Sequence, residues 1–135
     1  MKKRIGFINF LPGIAWFFVI IFLTCLPGKD LPKIGWLEDI FFDKWVHIGL
    51  FGLLTFLFSY PIFKTEWTVK SKLSYFLLIT ILSSFWGLGI EFIQEYYVPG
   101  RSFDLLDWAA DTVGALIAFW ICSLQLRKQK TAVKV

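Results

Sequence analysis

The chain has 135 residues and a formal net charge of +4, and it is 57% hydrophobic, 20% aromatic and only 18% charged, with a mean hydropathy of +0.66. Soluble domains are about 45–50% apolar and about 25% charged, so the composition argues against soluble globular, disordered and disulfide-rich classes and for a membrane protein. The positive charge signals nucleic acid only if its cations share a binding face, and their positions argue otherwise.

The first apolar run, 5–26, follows Lys2, Lys3 and Arg4. It is too long for the usual core of a signal peptide, and no A-x-A-like site follows. Phe22-Leu23-Thr24-Cys25 is a poor lipobox because of Thr24. The segment therefore reads as a retained transmembrane helix closed by Pro27-Gly28. Residues 27–43 read as a connection lying along the headgroup layer, with Trp36, Leu37, Ile40, Phe41 and Phe42 on its apolar side. Further runs follow at 45–63, with Tyr60-Pro61 marking the end, at 73–95, before Val98-Pro99-Gly100, and at 105–126, before a polar tail. Each is near the roughly 20 residues that cross about 30 Å of hydrocarbon. The expected fold is an all-α integral membrane bundle of four transmembrane helices, a single domain over residues 1–135.

Ten of the 14 lysines and arginines fall at the end that holds both termini, and nine of the ten acids fall at the opposite end or in its loops. The positive-inside rule then places the N and C termini in the cytoplasm. The charge becomes a basic cytoplasmic skirt facing anionic lipid, with no need for nucleic acid. Cys25 and Cys122 sit in apolar runs near opposite faces, too far apart for a disulfide and outside any zinc-ligand spacing.

Three distant segments bring ionisable groups to the outer depth. Helix 2 opens with Asp43, Lys44 and His47; helix 3 ends with Glu91, Gln94 and Glu95; Arg101 lies in the loop; helix 4 opens with Asp104, Asp107 and Asp111. Asp43 and His47 share a face at i, i+4, as do Glu91 with Gln94 and Glu95, and Asp104 with Asp107 and Asp111. Ser83 and Gly87 lead up to Glu91, and Gly114 and Ala118 continue from Asp111, as small-residue stripes that let helices approach. A carboxylate at helix depth is costly unless it faces protein, water or a partner charge.

Plainer roles stand beside the functional ones. Asp43 and Asp104 suit first-turn or N-cap acids. Gln94 suits an interhelical hydrogen bond, Asp107 with Arg101 a structural ion pair, and Lys44 a side chain reaching for headgroups. Asp30, Glu38, Asp39 and Glu95 read as solvated surface. Trp36, Trp45, Tyr96, Tyr97 and Trp108 read as an outer aromatic belt, and Tyr60 and Trp67 as an inner one.

Asp43-Lys44-x-x-His47 resembles the D-K-x-x-H signature of VanZ-like integral membrane proteins. Glu91-x-x-Gln94, then Arg101, Asp107 and Gly114, resemble that family's E-x-x-Q…R…D…G pattern, and Leu26-Pro27-Gly28-Lys29-Asp30-Leu31-Pro32 resembles its first loop. The resemblance covers nearly the whole chain; one departure is Asp111, where the family often has Asn. It implies a bacterial plasma-membrane location and a link through the cell envelope to glycopeptide (teicoplanin) resistance.

Three functions fit the residues. In the first, an envelope enzyme acts on a lipid or lipid-linked headgroup at the outer leaflet: His47 is general base or acid, oriented by Asp43, and Glu91 is its partner. Lys44 and Arg101 hold an anionic phosphate beside Gln94, and Asp107 and Asp111 orient Arg101 or hold Mg²⁺; no other metal set is indicated. In the second, the same pocket captures a lipid-linked precursor or glycopeptide without turnover, or modulates a partner protein. The third, a proton-coupled carrier, ranks last because the inner halves of the helices show no matching polar stripe.

Overall fold

The computed structural model describes residues 5–27 and 42–132. Residues 28–41 of the expected interfacial connection, among them Trp36, Glu38 and Asp39, lie outside the described residues, as do Lys2, Lys3 and Arg4, and its last two residues, Phe42 and Asp43, are helical. Among the described residues the regular structure is entirely helical. A 3-10 turn, Phe7–Phe10, leads into α1, Leu11–Thr24, followed by α2, Phe42–Phe63, α3, Val69–Tyr97, and α4, Leu105–Ala132.

The helix ends explain where these bounds differ from the apolar runs. Helix α2 starts three residues before its run, at Phe42, and places Asp43 in its first turn, where the helix dipole favours an acid. Pro61 lies inside the last turn. The backbone there closes through Lys64 N–H to Pro61 O and Thr65 N–H to Ile62 O, and Lys72 Nζ donates to the Phe63 carbonyl at 2.8 Å. These bonds satisfy carbonyls that a helix end otherwise leaves orphaned. Helix α3 begins at Val69 because Thr68 is its N-cap, extended in backbone, with Oγ1 accepting from Ser71 N–H at 3.2 Å. It ends at Tyr97, with Val98 as its C-cap, and Gly100 takes a φ of 76° in the turn to α4. Asp104 caps α4, its Oδ1 accepting from Leu106 N–H at 2.8 Å. At 28 residues α4 continues through most of the expected polar tail, about 42 Å in all.

All four helices are long and apolar enough to cross a membrane. Helix α2 packs most extensively on α4, α3 packs on both, and α1 has the least contact with the rest. One core cluster joins Ile20, Leu50, Phe51, Leu54 and Ile90; the other joins Ile62, Phe76, Cys122 and Leu126, with Ile5 and Phe10 against it. The second cluster sets the start of α1 beside the far end of α4. The opposite end of the bundle therefore gathers the start of α2, the end of α3 and the start of α4. Phe18, Phe22, Phe85 and Trp120 point outward, each more than 60% exposed, as lipid-facing side chains do.

The α2–α4 contact depends on missing side chains. A β-carbon on Gly52 would lie 3.2 Å from the Gly114 carbonyl oxygen, and one on Gly114 would overlap the Ile48 carbonyl. This close backbone approach is the small-residue packing expected of helices in lipid.

Candidate functional site

The α2–α4 crossing brings His47 and Asp111 together. His47 Nδ1 lies 2.8 Å from Asp111 Oδ1, and both residues are buried. Asp111 fits because α3 has Gly87 opposite it: a β-carbon there would be 2.6 Å from Asp111 Oδ2. Glu91 lies one turn beyond Gly87 on α3 and is fully buried. Its Oε2 accepts from Asp104 N–H at 2.9 Å, which fixes the start of α4 against the end of α3. Among the described residues, Glu91 Oε1 and Asp111 Oδ2 have no hydrogen-bond partner. Donor atoms of His47, Glu91 and Asp111 lie within 4.8 Å of one another.

Lys44 lies on the outer side of this group. Its Nζ donates to Asp43 Oδ2 at 2.8 Å, Asp104 Oδ2 at 2.6 Å and Asp107 Oδ1 at 2.5 Å. The ammonium hydrogen-bonded to Asp104 holds that carboxyl below the usual carboxylate range, against a smaller opposing effect of burial. Asp107 Oδ2 lies 3.8 Å from His47 Nε2, so the lysine and histidine groups adjoin through Asp107.

These contacts correct several sequence expectations. Asp43 does not orient His47; it is spent on Lys44, its side chain 58% exposed, and Asp111 from another helix holds the ring. Lys44, expected to meet an anionic phosphate or reach for headgroups, is enclosed by three carboxylates. Asp107 pairs with that lysine and not with Arg101. Arg101 is half-buried, and among the described residues its Nε is enclosed without a partner. Gln94 does make an interhelical bond, Nε2 donating to the Thr24 carbonyl of α1 at 2.9 Å. Glu95 is exposed, as expected of a surface acid, and also accepts from Phe103 N–H at 2.7 Å across the α3–α4 turn. Cys25 and Cys122 are free thiols.

Two features had no reading in the sequence. Trp108, assigned to the aromatic belt, donates Nε1–H to the Ser84 carbonyl at 3.0 Å, and Ser84 pairs with Thr112 at 2.7 Å, tying α3 to α4. The helix halves away from this group also hold buried polar side chains, Thr55, Ser59, Thr80, Ser83 and Ser123. Thr and Ser scattered at helical spacing among Phe and Leu gave only a faint signal.

Chemically, an ionised Asp111 accepts the Nδ1–H of His47, which fixes the tautomer and leaves a lone pair on Nε2. Burial of several acids around one lysine costs free energy unless each charge is matched. Unpartnered carboxylate oxygens in such a place are a functional signal more than a stability device.

Fold and site together define a multi-pass α-helical membrane protein with an acid–imidazole group buried at one end and a lysine–carboxylate group beside it. A family model described as VanZ/LLP1 matches residues 7–126, and the chain belongs to that family. No curated protein and no solved structure matches the chain.

Proposed function

We propose that the protein resides in the bacterial plasma membrane with both termini in the cytoplasm, and acts on the headgroup of a lipid or lipid-linked envelope precursor at the extracytoplasmic face. The orientation rests on the charge asymmetry along the chain. The observation that carries the function is the buried His47–Asp111 hydrogen bond beside Glu91, with an unpartnered oxygen on each acid. In this reading His47 Nε2 takes a proton from the attacking hydroxyl or water, Asp111 holds the ring, and Glu91 is the second acid–base group. Arg101 faces the anionic headgroup, because Lys44 is already matched by Asp43, Asp104 and Asp107. The family name extends the proposal to glycopeptide (teicoplanin) resistance, through an altered envelope precursor.

The test is lipid analysis by mass spectrometry of cells expressing the unmodified chain, His47→Asn, Glu91→Gln or Arg101→Gln. An altered headgroup species that disappears with His47→Asn and Glu91→Gln at equal expression supports turnover. A phenotype that depends on Arg101 but survives His47→Asn defeats the enzyme and leaves a headgroup-binding protein. Reporter fusions at Lys70 and Arg101 test the orientation; Lys70 on the extracytoplasmic side would overturn it.

A further inference from the structure

The geometry points to a divalent transition-metal site formed by His47, Glu91 and Asp111. The three residues are each at most 6% exposed, and their donor atoms all lie within 4.8 Å. Donors on one tetrahedral ion at about 2.0–2.2 Å stand about 3.3–3.6 Å apart, so side-chain movements of about 1 Å bring all three onto a common centre. The unpartnered oxygens Glu91 Oε1 and Asp111 Oδ2 supply free donor capacity inside the protein, where a polar atom is otherwise matched.

Charge points the same way. Asp43, Asp104, Asp107, Glu91 and Asp111 converge here, and Lys44 serves the first three. Glu91 and Asp111 have only His47 within the inner group, and a divalent ion would match both. One imidazole nitrogen with two carboxylates suits Zn²⁺ or Mn²⁺; Mg²⁺ prefers an all-oxygen shell that retains water. The other cluster of acids, Asp43, Asp104 and Asp107, is not a second site, because the Lys44 ammonium already occupies its centre.

An ion held by His47 Nδ1 and Asp111 takes the place of their hydrogen bond, and the ring proton moves to Nε2. Asp107 and Lys44 border the group on its outer side and stay paired with each other. The inference goes beyond the proposed headgroup chemistry, and rests on it only for what the ion is used for: the ion, when bound, would acidify water or polarise a phosphoryl oxygen in place of a base at His47 Nε2. Binding itself is measured with no lipid substrate present.

The experiment uses the full chain in detergent, stripped with a chelator, and titrated with Zn²⁺ or Mn²⁺ against a chromophoric competitor. The expected result is one ion per chain, weakened by about 100-fold or more in Glu91→Gln and Asp111→Asn and unchanged in Asp104→Asn. No stoichiometric binding at micromolar free ion, or equal binding by Glu91→Gln and Asp111→Asn, overturns the site. If either variant loses its helical signal, X-ray absorption of the Zn²⁺-loaded unmodified chain decides. A shell with one imidazole nitrogen and carboxylate oxygens supports the site; a shell without imidazole overturns it. The two proposals fail separately. Headgroup turnover that survives complete stripping removes the ion's part in turnover and keeps the acid–base site, whereas a bound ion with no effect on any envelope lipid keeps the ion and removes the turnover.

Discussion

Gly114 of α4 lies against the carbonyl of Ile48 in α2 so closely that a single added carbon would overlap it. Asp111 stands one helical turn before Gly114, and His47 is the immediate neighbour of Ile48. The packing contact and the buried hydrogen bond are thus adjacent parts of one crossing, and a change that separates the backbones separates the site.

Gly114→Ala should destabilise the protein by about 1–3 kcal/mol or more, the usual cost of forcing extra atoms into a packed interface. Gly49→Ala is the control, since a β-carbon at Gly49 meets nothing within 4 Å and alanine favours a helix. Thermal midpoints in detergent should fall for the first and hold or rise for the second. Equal behaviour would mean that the helices do not approach as closely as described.

Lys44→Met leaves Asp107, with a side chain only 9% exposed, without its cation. Breaking a buried pair from one side costs about 3–5 kcal/mol. Lys44→Met with Asp107→Asn should recover part of this, because the stranded charge is gone. A double-mutant cycle that shows additive losses would separate Lys44 from Asp107.

The Asp104 carboxyl, lowered by its bond to Lys44, gives this end of the bundle a defined acid sensitivity. A depressed carboxylate contributes stability that is present above the ordinary aspartate range and lost as pH falls through the lowered value. The melting midpoint should therefore drop in acid below the usual aspartate titration, and the drop should be smaller in Asp104→Asn. A variant with an unchanged acid profile would count against the assignment.

Gln94→Leu removes the bond to the Thr24 carbonyl. The net loss is about 1 kcal/mol, but it falls on the helix with the least contact to the bundle. Maleimide labelling of Cys25, next to Thr24, should speed up in this variant, while Cys122, 2% exposed, stays slow. Faster labelling at both thiols would mean general loosening and not release of α1.

The four spans were legible because hydropathy alone specifies them; lipid requires long apolar helices and little else. The members of the polar group were legible too, since His47, Glu91, Asp107 and Asp111 mark one depth on different helices. Their pairing was not. Spacing put Asp43 on the face of His47, but residues one turn apart on one helix compete with groups on a neighbouring helix. The glycines at 52, 87 and 114 decide that competition by letting Asp111 approach. Gly114 was visible as a small-residue position, and Gly87 as part of a stripe, yet neither says which side chain fills the space. Lys44 was misread for a similar reason: a lysine near a helix end resembles an interfacial anchor until Asp104 and Asp107 arrive from a segment 60 residues away.

The order in which a ribosome delivers these helices matches their independence. The first span has a mean hydropathy of 2.1, the highest of the four, and makes the fewest contacts, so it can enter lipid on its own. The last has the lowest, 1.5, and carries Asp107 and Asp111 into the bilayer. Those two acids emerge after Lys44 and His47 have been made. Their partners are therefore in place when the costliest segment must leave water, and moving α4 to the front of the chain would strand its acids in lipid.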